Sequence, residues 1–483
     1  GLYMSTVKKI DTISSYFKIS PSILDQLDVV DVLLESDTLL FIDPMLLPES
    51  KHSEMKDDAD QKYIDTFTKI IKLLSACKIA NDSDIAWRTA KKLFSFSEIG
   101  WTCLGYGSSA KGSGFGPQLV NNTMKTAHQI VSMDIDDPDL FMVMSLFEEG
   151  IGADRISDMT TNIIFDSLVK FSERVNTTLK IPTKEFTFKG NKYNAPHNPL
   201  TNKPLILVPK DIVRDLPIST DWSGAVHTMK ENTDLRDRIN TNIGNLLVSM
   251  TKKQKEEAKR RALEKKEYFE DLLTLIKEVE KEPYDFKADR NGELFWLRLA
   301  SSIDKKYPFN LSGYNKKLTL DDVEHLVSDI LNQFKDLIEN KGLWKEMWAD
   351  DKKPRKEKAA QRLLFAVAYS YCKANNLDIS PEADSGNGPV DFKLSQGFEQ
   401  KVLVEVKLSS NPKLLHGYEK QLEIYKKGDD TERAFFVIVD IGHIGDKYQK
   451  VQQARIATEK EGKKVSKIIH IDAQQKDSAS KRI

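Results

Sequence analysis

Cysteine is scarce: three in 483 residues, Cys77, Cys103 and Cys372, far apart and without paired ligand spacing. That excludes a disulfide framework and a structural zinc site, and it suits a reducing, cytoplasmic setting. No apolar run approaches the roughly 18 to 20 residues of a membrane span, so no membrane partner is expected. The N-terminus has no signal-peptide core, and Gly1-Leu2-Tyr3 ahead of Met4 reads as an artificial leader. There is no internal repeat or low-complexity segment. Charge of one sign is also lacking, with 72 Lys and Arg against 73 Asp and Glu. A net charge close to zero does not by itself favour a nucleic-acid enzyme.

What is present is a length that calls for several domains, since single cores stop growing near roughly 250 to 300 residues. The composition, 40% hydrophobic and 30% charged, is that of a globular protein. Charge is unevenly distributed. From Asp351 to Ile483 there are 25 basic against 19 acidic residues, a net of +6, and the remainder nets −7. A basic C-terminal module on an acidic body can hold a polyanion at one end.

The most informative stretch lies in that module. Val390-Asp391-Phe392-Lys393-Leu394 and Lys401-Val402-Leu403-Val404-Glu405-Val406-Lys407-Leu408 are apolar, β-branched runs separated by a polar break containing Gly397, the pattern of a hairpin. A symmetric turn over Gln396 to Gln400 sets Asp391 directly opposite Glu405, and opposed residues share a face with Cβ atoms roughly 4.5 to 5.5 Å apart. Two carboxylates that close repel unless a cation sits between them. Hard oxygen ligands of this kind suit Mg2+, with Mn2+ as a substitute. A metal-bound water is a competent nucleophile at neutral pH, and the Lys407 ammonium can orient it or offset charge on a phosphate.

Asp391, a spacer, then Glu405-Val406-Lys407 on an apolar strand resembles the PD-(D/E)XK nuclease superfamily, with Pro389 two positions before the aspartate instead of one. The resemblance covers roughly residues 354 to 475. It implies that Asp391, Glu405 and the Val406 carbonyl hold the metal and that Lys407 acts on the water. The superfamily often has a glutamate on the preceding helix, matched by Glu357, which heads the stripe 357, 361, 364, 368, 371. It often has a glutamine on the following helix, matched by Gln421, which shares a face with Leu414, Tyr418 and Tyr425; Tyr418 therefore joins the candidates. The order helix, hairpin, helix, strand, helix, strand implies a mixed sheet flanked by helices. Each residue alone also has an ordinary reading: a salt-bridged strand face, a solvated strand end, a satisfied packing glutamine.

The expected fold class is mixed α/β in three parts: an N-terminal mixed α/β domain over 4–230, a helical charged linking region over 235–350, and the restriction-endonuclease-like domain over 351–483. In the first part, residues 38–44 and 205–208 read as strands, and 53–76 as a helix. Asp31, Asp37 and Asp43 read as turn and cap residues ahead of a second acidic site. The glycine-rich stretch 105–116 lacks a Gly-Lys-Ser/Thr ending and reads as a surface loop. Asp154, Arg155 and Asp158 read either as ligand contacts or as the surroundings of a helix start at Ser157 or Asp158. Lys252 to Arg261 reads as a solvated helix face. Residues 294–303 and 321–338 read as amphipathic helices.

The layout resembles bacterial restriction-type and anti-phage proteins in which an N-terminal region recognises a trigger, partner or target. The functional expectation is a metal-dependent endonuclease acting on DNA. The alternatives are an RNA nuclease, whose metal chemistry is the same, and a catalytically silent nucleic-acid-binding or scaffold protein. Because one such site cuts one strand, a homodimer is one way to cleave both.

Overall fold

The structure is a computed structural model that describes residues 11–476 apart from 36, 39, 106–115, 149–150, 215–227, 247–251, 287–302, 349–351, 378, 384–389, 395–396 and 427–431. The chain is mixed α/β. It divides into two compact units, one formed mainly by residues 10–248 and 254–288, the other mainly by 289–483. Of the region expected over 235–350, residues 254–288 fall in the first unit and the helix after residue 319 in the second. Among the described residues no helix is long and apolar enough to cross a membrane.

The first unit is largely helical. Its short strand β1 (Phe41–Ile42) is followed by α1 (Asp60–Ala76), α2 (Ile85–Leu93), α3 (Pro117–Val131), α4 (Ala153–Ile163) and α5 (Phe165–Leu179). In α1, Tyr63, Phe67, Ile70, Ile71 and Leu74 recur at helical spacing and are all buried. A meander of β2 (Thr183–Phe188), β3 (Asn191–Asn198) and β4 (Lys203–Pro204) was not foreseen from the sequence. Its turn uses Lys189 and Gly190 at φ 47° and 79°, the left-handed pair a tight hairpin needs.

Three expectations for this unit need correcting. The strand expected over 38–44 shrinks to β1, which pairs antiparallel with β5 (Val213–Arg214) before Asp43 and Pro44 start a 3-10 turn. Residues 205–208 are buried and extended but join no sheet; their groups are satisfied one at a time, by Pro196, Trp101, the Ser172 hydroxyl and Val30. Burial and β-branching give the sequence signal of a strand, whereas a ladder also requires a free neighbouring edge. Finally, α4 starts at Ala153, with Gly152 extended at the N-cap and Asp154 in the first turn, so Ser157 and Asp158 are buried mid-helix residues. Helix α6 (Lys266–Glu278) closes the unit's chain.

The second unit is built on a five-stranded sheet. Helices α7 (Leu320–Asn340) and α8 (Glu357–Ala374) precede β6 (Ile379–Ala383), β7 (Val390–Leu394) and β8 (Gly397–Leu408); α9 (Leu414–Lys426), β9 (Glu432–Asp440), α10 (Lys447–Lys460) and β10 (Lys467–Asp472) follow. Strand order is β10-β9-β8-β7-β6, antiparallel from β6 to β8 and parallel from β8 to β10. Successive crossovers in one direction put α9 and α10 on one face, where Leu414, Tyr418, Phe436, Ile438 and Val451 form a buried cluster. The alternate residues Phe435, Val437 and Val439 are equally buried, as a sheet covered on both faces requires. Helix α7 belongs to this layer: the indole of Trp348 just beyond it donates to the Ala473 carbonyl at 2.8 Å, and its own Glu339 accepts from the Asp472 amide at 3.1 Å.

Strand β6 escaped the sequence reading because Pro381 interrupts it. A proline is tolerated at an edge, and β6 is the edge.

Candidate functional site

The carboxyl end of the central strand β8 gathers three of the expected residues. Glu405 and Lys407 alternate with the buried Val404, Val406 and Leu408, so both project from one face of the sheet. In the parallel register they lie beside Phe436 and Ile438 of β9, residues that face α9. Glu357 is the first residue of α8, where its charge suits the helix N-terminus.

Lys407 Nζ lies 3.2 Å from Glu357 Oε1 and 3.3 Å from Glu405 Oε1. Glu357 is otherwise committed: its Oε2 accepts the Leu408 amide and the Asn411 side-chain amide, each at 3.0 Å. It is thereby a positioning residue that fixes the end of β8 and the ammonium together. Glu405 differs. Among the described residues it pairs with Lys407 alone, and that contact uses Oε1. The Glu405 side chain is 17% exposed.

The electrostatics follow from this geometry. Burial pushes the Glu405 carboxyl up from its ordinary value, with Lys407 opposing and the Glu357 charge assisting. For Lys407 burial works against the charge, but Glu405 and Glu357 more than offset it and raise the group, so the ammonium is retained. The result is a fixed cation beside a carboxylate whose ionised form is poorly compensated. The pairing carries one positive charge for two negative ones.

The register corrects one expectation. Asp391 pairs with Leu403, and Val390 with Val404, so Asp391 is not directly opposite Glu405. The turn is tighter than a symmetric five-residue loop, with Leu394 opposite Gly397 and an irregularity at Lys393/Leu394 that absorbs the difference. The slip is two residues, which preserves the alternation and leaves position 391 one diagonal step from Glu405, where Cβ spacings are roughly 7 to 8 Å. The side chains of Asp391 and Gln421 lie outside the described residues.

The Val406 carbonyl accepts a hydrogen bond from Gln361 Nε2 at 3.4 Å. Gln361 and Asn411 were not picked out as site residues. A buried glutamine one turn after Glu357 on the same stripe was the available signal. Tyr418 is corrected: it is fully buried, packs edge-on against Phe436 and donates to the Ser466 carbonyl at 3.2 Å. It serves the core. Tyr418→Phe is expected to lower stability by about 1 kcal/mol through that single hydrogen bond and to leave any chemistry at Lys407 unchanged. Urea unfolding beside an activity assay checks both halves.

The donor set at Glu405 fits a hard divalent cation. Among the described residues one oxygen of its carboxylate has no partner, burial disfavours its lone charge, and the Val406 carbonyl has a second lone pair.

A second group, Asp28, His52 and Asp211 in the first unit, has ligand-type atoms within 4.8 Å of one another. Its hydrogen bonds argue for a staple. Arg174 Nη2, which can only donate, faces His52 Nδ1 at 3.1 Å, so the ring proton resides on Nε2, 2.9 Å from Asp28 Oδ2. A histidine ligating a metal through Nε2 keeps its proton on Nδ1 and donates it outward, the reverse of this arrangement. Asp211 is occupied by the Ser50 hydroxyl at 3.0 Å and the Lys51 amide at 2.8 Å. Of the acidic residues weighed in the sequence, Asp31 binds the Ser14 amide and hydroxyl, and Asp43 caps Met45. The glycine-rich loop expected over 105–116 falls mostly outside the described residues. The helix expected over 294–303 does too, save for a short turn at 303–306.

Two family models match the chain, each described as a domain of unknown function: DUF8370 over residues 18–221 and DUF8371 over residues 323–443. The first falls within the helical unit, and the second ends just after β9, spanning Glu357, Glu405 and Lys407. No curated protein and no solved structure matches.

Proposed function

We propose that the second unit is a metal-dependent nuclease that hydrolyses phosphodiester bonds, with DNA as substrate. The observation that carries this reading is Lys407, held 3.2 and 3.3 Å from Glu357 and Glu405 at the end of a central strand whose hairpin partner contributes Asp391. Glu405, Asp391 and the Val406 carbonyl would hold Mg2+ or Mn2+. When bound, such an ion supplies an acidified water and neutralises charge on the phosphate. Lys407 then holds its proton on Nζ and presents a fixed donor to the attacking water or to a phosphoryl oxygen. Glu357 keeps that donor in place through the Leu408 amide and Asn411.

The net +6 of residues 351–483 supports a polyanionic substrate. The helical first unit would serve recognition of a trigger or partner, in a restriction-type or anti-phage role. The same site on RNA is chemically equivalent, and cleavage assays on DNA and on RNA separate the two. The satisfied state of Glu357 favours a second reading, a silent scaffold in which this cluster only braces the sheet.

Plasmid, linear duplex, single-stranded DNA and RNA, each with magnesium or manganese, test the activity. Metal binding supplies an independent readout with a definite sign. A carboxyl raised by burial contributes stability at low pH that is lost as pH rises through its folded value, so the metal-free protein is penalised once Glu405 ionises. Magnesium is therefore expected to raise Tm at pH 8 more than at pH 5, and Glu405→Gln to erase the difference. Equal shifts in wild type and variant, with no cleavage, would leave the scaffold reading standing.

A further inference from the structure

The first unit contains a cleft of about 510 Å³ that the proposed nuclease chemistry does not use. That is within the usual size of small-molecule sites, roughly 300 to 1,000 Å³. Pro44, Met45, Ile64 and Pro138 give it apolar walls. Its polar lining is concentrated in Asp60 and Tyr63 of α1, the turn Asp136-Asp137 with Asp139, and Lys277 and Lys281 at and beyond the end of α6.

Tyr63 is the informative member. It is 3% exposed, it lines the cleft, and its hydroxyl has no hydrogen-bond partner among the described residues. Buried hydroxyls are almost always paired, because an unmet one forfeits its hydration for nothing. Burial, with the charges of Asp139, Asp43 and Asp60 nearby, drives the phenol far above its ordinary range, so it remains a donor. A donor without an acceptor, beside a cavity, marks a place for an acceptor.

The carboxylates specify the rest. Asp139 accepts no hydrogen bond through its side chain among the described residues, and Asp60 is likewise without one. Asp137 is paired with Lys277 and also accepts the Asp139 amide. With four carboxylates against two lysines, one of them already paired, the cleft is acidic and repels anions.

We propose that this cleft binds a small organic amine carrying a hydrogen-bond acceptor, with its ammonium against Asp60 and Asp139 and its acceptor at the Tyr63 hydroxyl. The site is distinct from the Glu405 centre, and its test does not depend on nuclease activity.

Titration behaviour supports the assignment. Burial, and next the Asp137 charge, lifts Asp139 to about 6, against opposition from Lys277 and Lys281. Asp60 is raised by burial, with Lys281 opposing. A cation binds the ionised form, so affinity rises as pH increases through about 6. Asp60, Asp136, Asp137, Lys277 and Lys281 are the other charged groups lining the cleft.

Calorimetric titration of the full chain with ethanolamine, serinol, lysine amide and arginine amide, beside inorganic phosphate and citrate, tests the idea. The expected result is one-to-one binding of at least one amine and of neither anion. Asp139→Asn weakens that binding tenfold or more. Tyr63→Phe weakens it by on the order of three- to tenfold, the worth of one hydrogen bond. In the free protein Tyr63→Phe leaves Tm unchanged or raises it, because the hydroxyl gives up no bond. Failure of every amine at millimolar concentration, preference for an anion, or undiminished binding in Asp139→Asn would overturn the proposal.

Discussion

On the proposed nuclease reading, Lys407→Ala is expected to lower metal-dependent cleavage by on the order of 10²- to 10³-fold while the protein stays folded, the size of effect seen when one preorganised electrostatic donor is removed from a reaction centre. Folding should survive because Lys407 is at the margin of the core, 17% exposed, and its removal relieves burial of an ammonium. Two carboxylates are then left facing each other without the cation, so a small loss of stability and weaker discrimination among divalent metals accompany the loss of rate. Glu405→Ala should be at least as damaging to rate and should also abolish metal binding. Glu357→Gln should retain part of the activity, since the amide oxygen still accepts from Leu408 or Asn411. Single-turnover cleavage with circular dichroism of each variant provides the check. Full activity in a folded Lys407→Ala protein would remove the site from consideration.

The largest expected effect on stability lies in the other unit. Asp43→Ala is expected to cost about 3 to 5 kcal/mol, the range for stripping one partner from a buried ion pair. The Asp43 carboxylate is fully buried, with Oδ1 capping the Met45 amide at 2.9 Å and Oδ2 lying 3.3 Å from Arg214 Nη1; the Arg214 side chain is 11% exposed. The same two residues join the β1 and β5 segments, more than 170 positions apart. Substitution leaves a guanidinium in the interior and an uncapped 3-10 turn. Asp43→Ala combined with Arg214→Met should recover much of the loss, because a buried pair replaced by apolar groups is close to neutral. Urea unfolding of the three variants measures it, and a single-mutant loss under about 1 kcal/mol would show that water reaches the pair.

Much of the second unit could be read in the sequence because its signals are local. Alternation in 401–408 identifies the faces of β8, the helical stripe 357–371 orients α8, and the apolar run 434–439 identifies a strand buried on both sides. The hairpin register could not be read this way. It depends on where the turn closes, and an irregularity at Lys393/Leu394 has no hydrophobic signature. Gln361 and Asn411 were missed because amides on a strand end or helix face look alike whether they meet water or a carbonyl. The first unit was harder. Its burial was visible in 205–208, but its partners are single atoms from residues 30, 101, 172 and 196, which no period encodes.

That scattered satisfaction of 205–208 bears on how the first unit is made. The Val30 amide waits for the carbonyl of Val208, and the Trp101 carbonyl for the amide of Ile206. Closing such loops carries an entropy penalty that only later contacts repay, and chains dominated by distant pairings fold slowly. During synthesis at roughly 5 to 20 residues per second, a chain ending near residue 200 has α1 to α5 but lacks both the segment that seals them and α6. The unit can complete its core only after residue 208 has left the ribosome. Until then its apolar helix faces are exposed, and holdase chaperones would find their binding surface there.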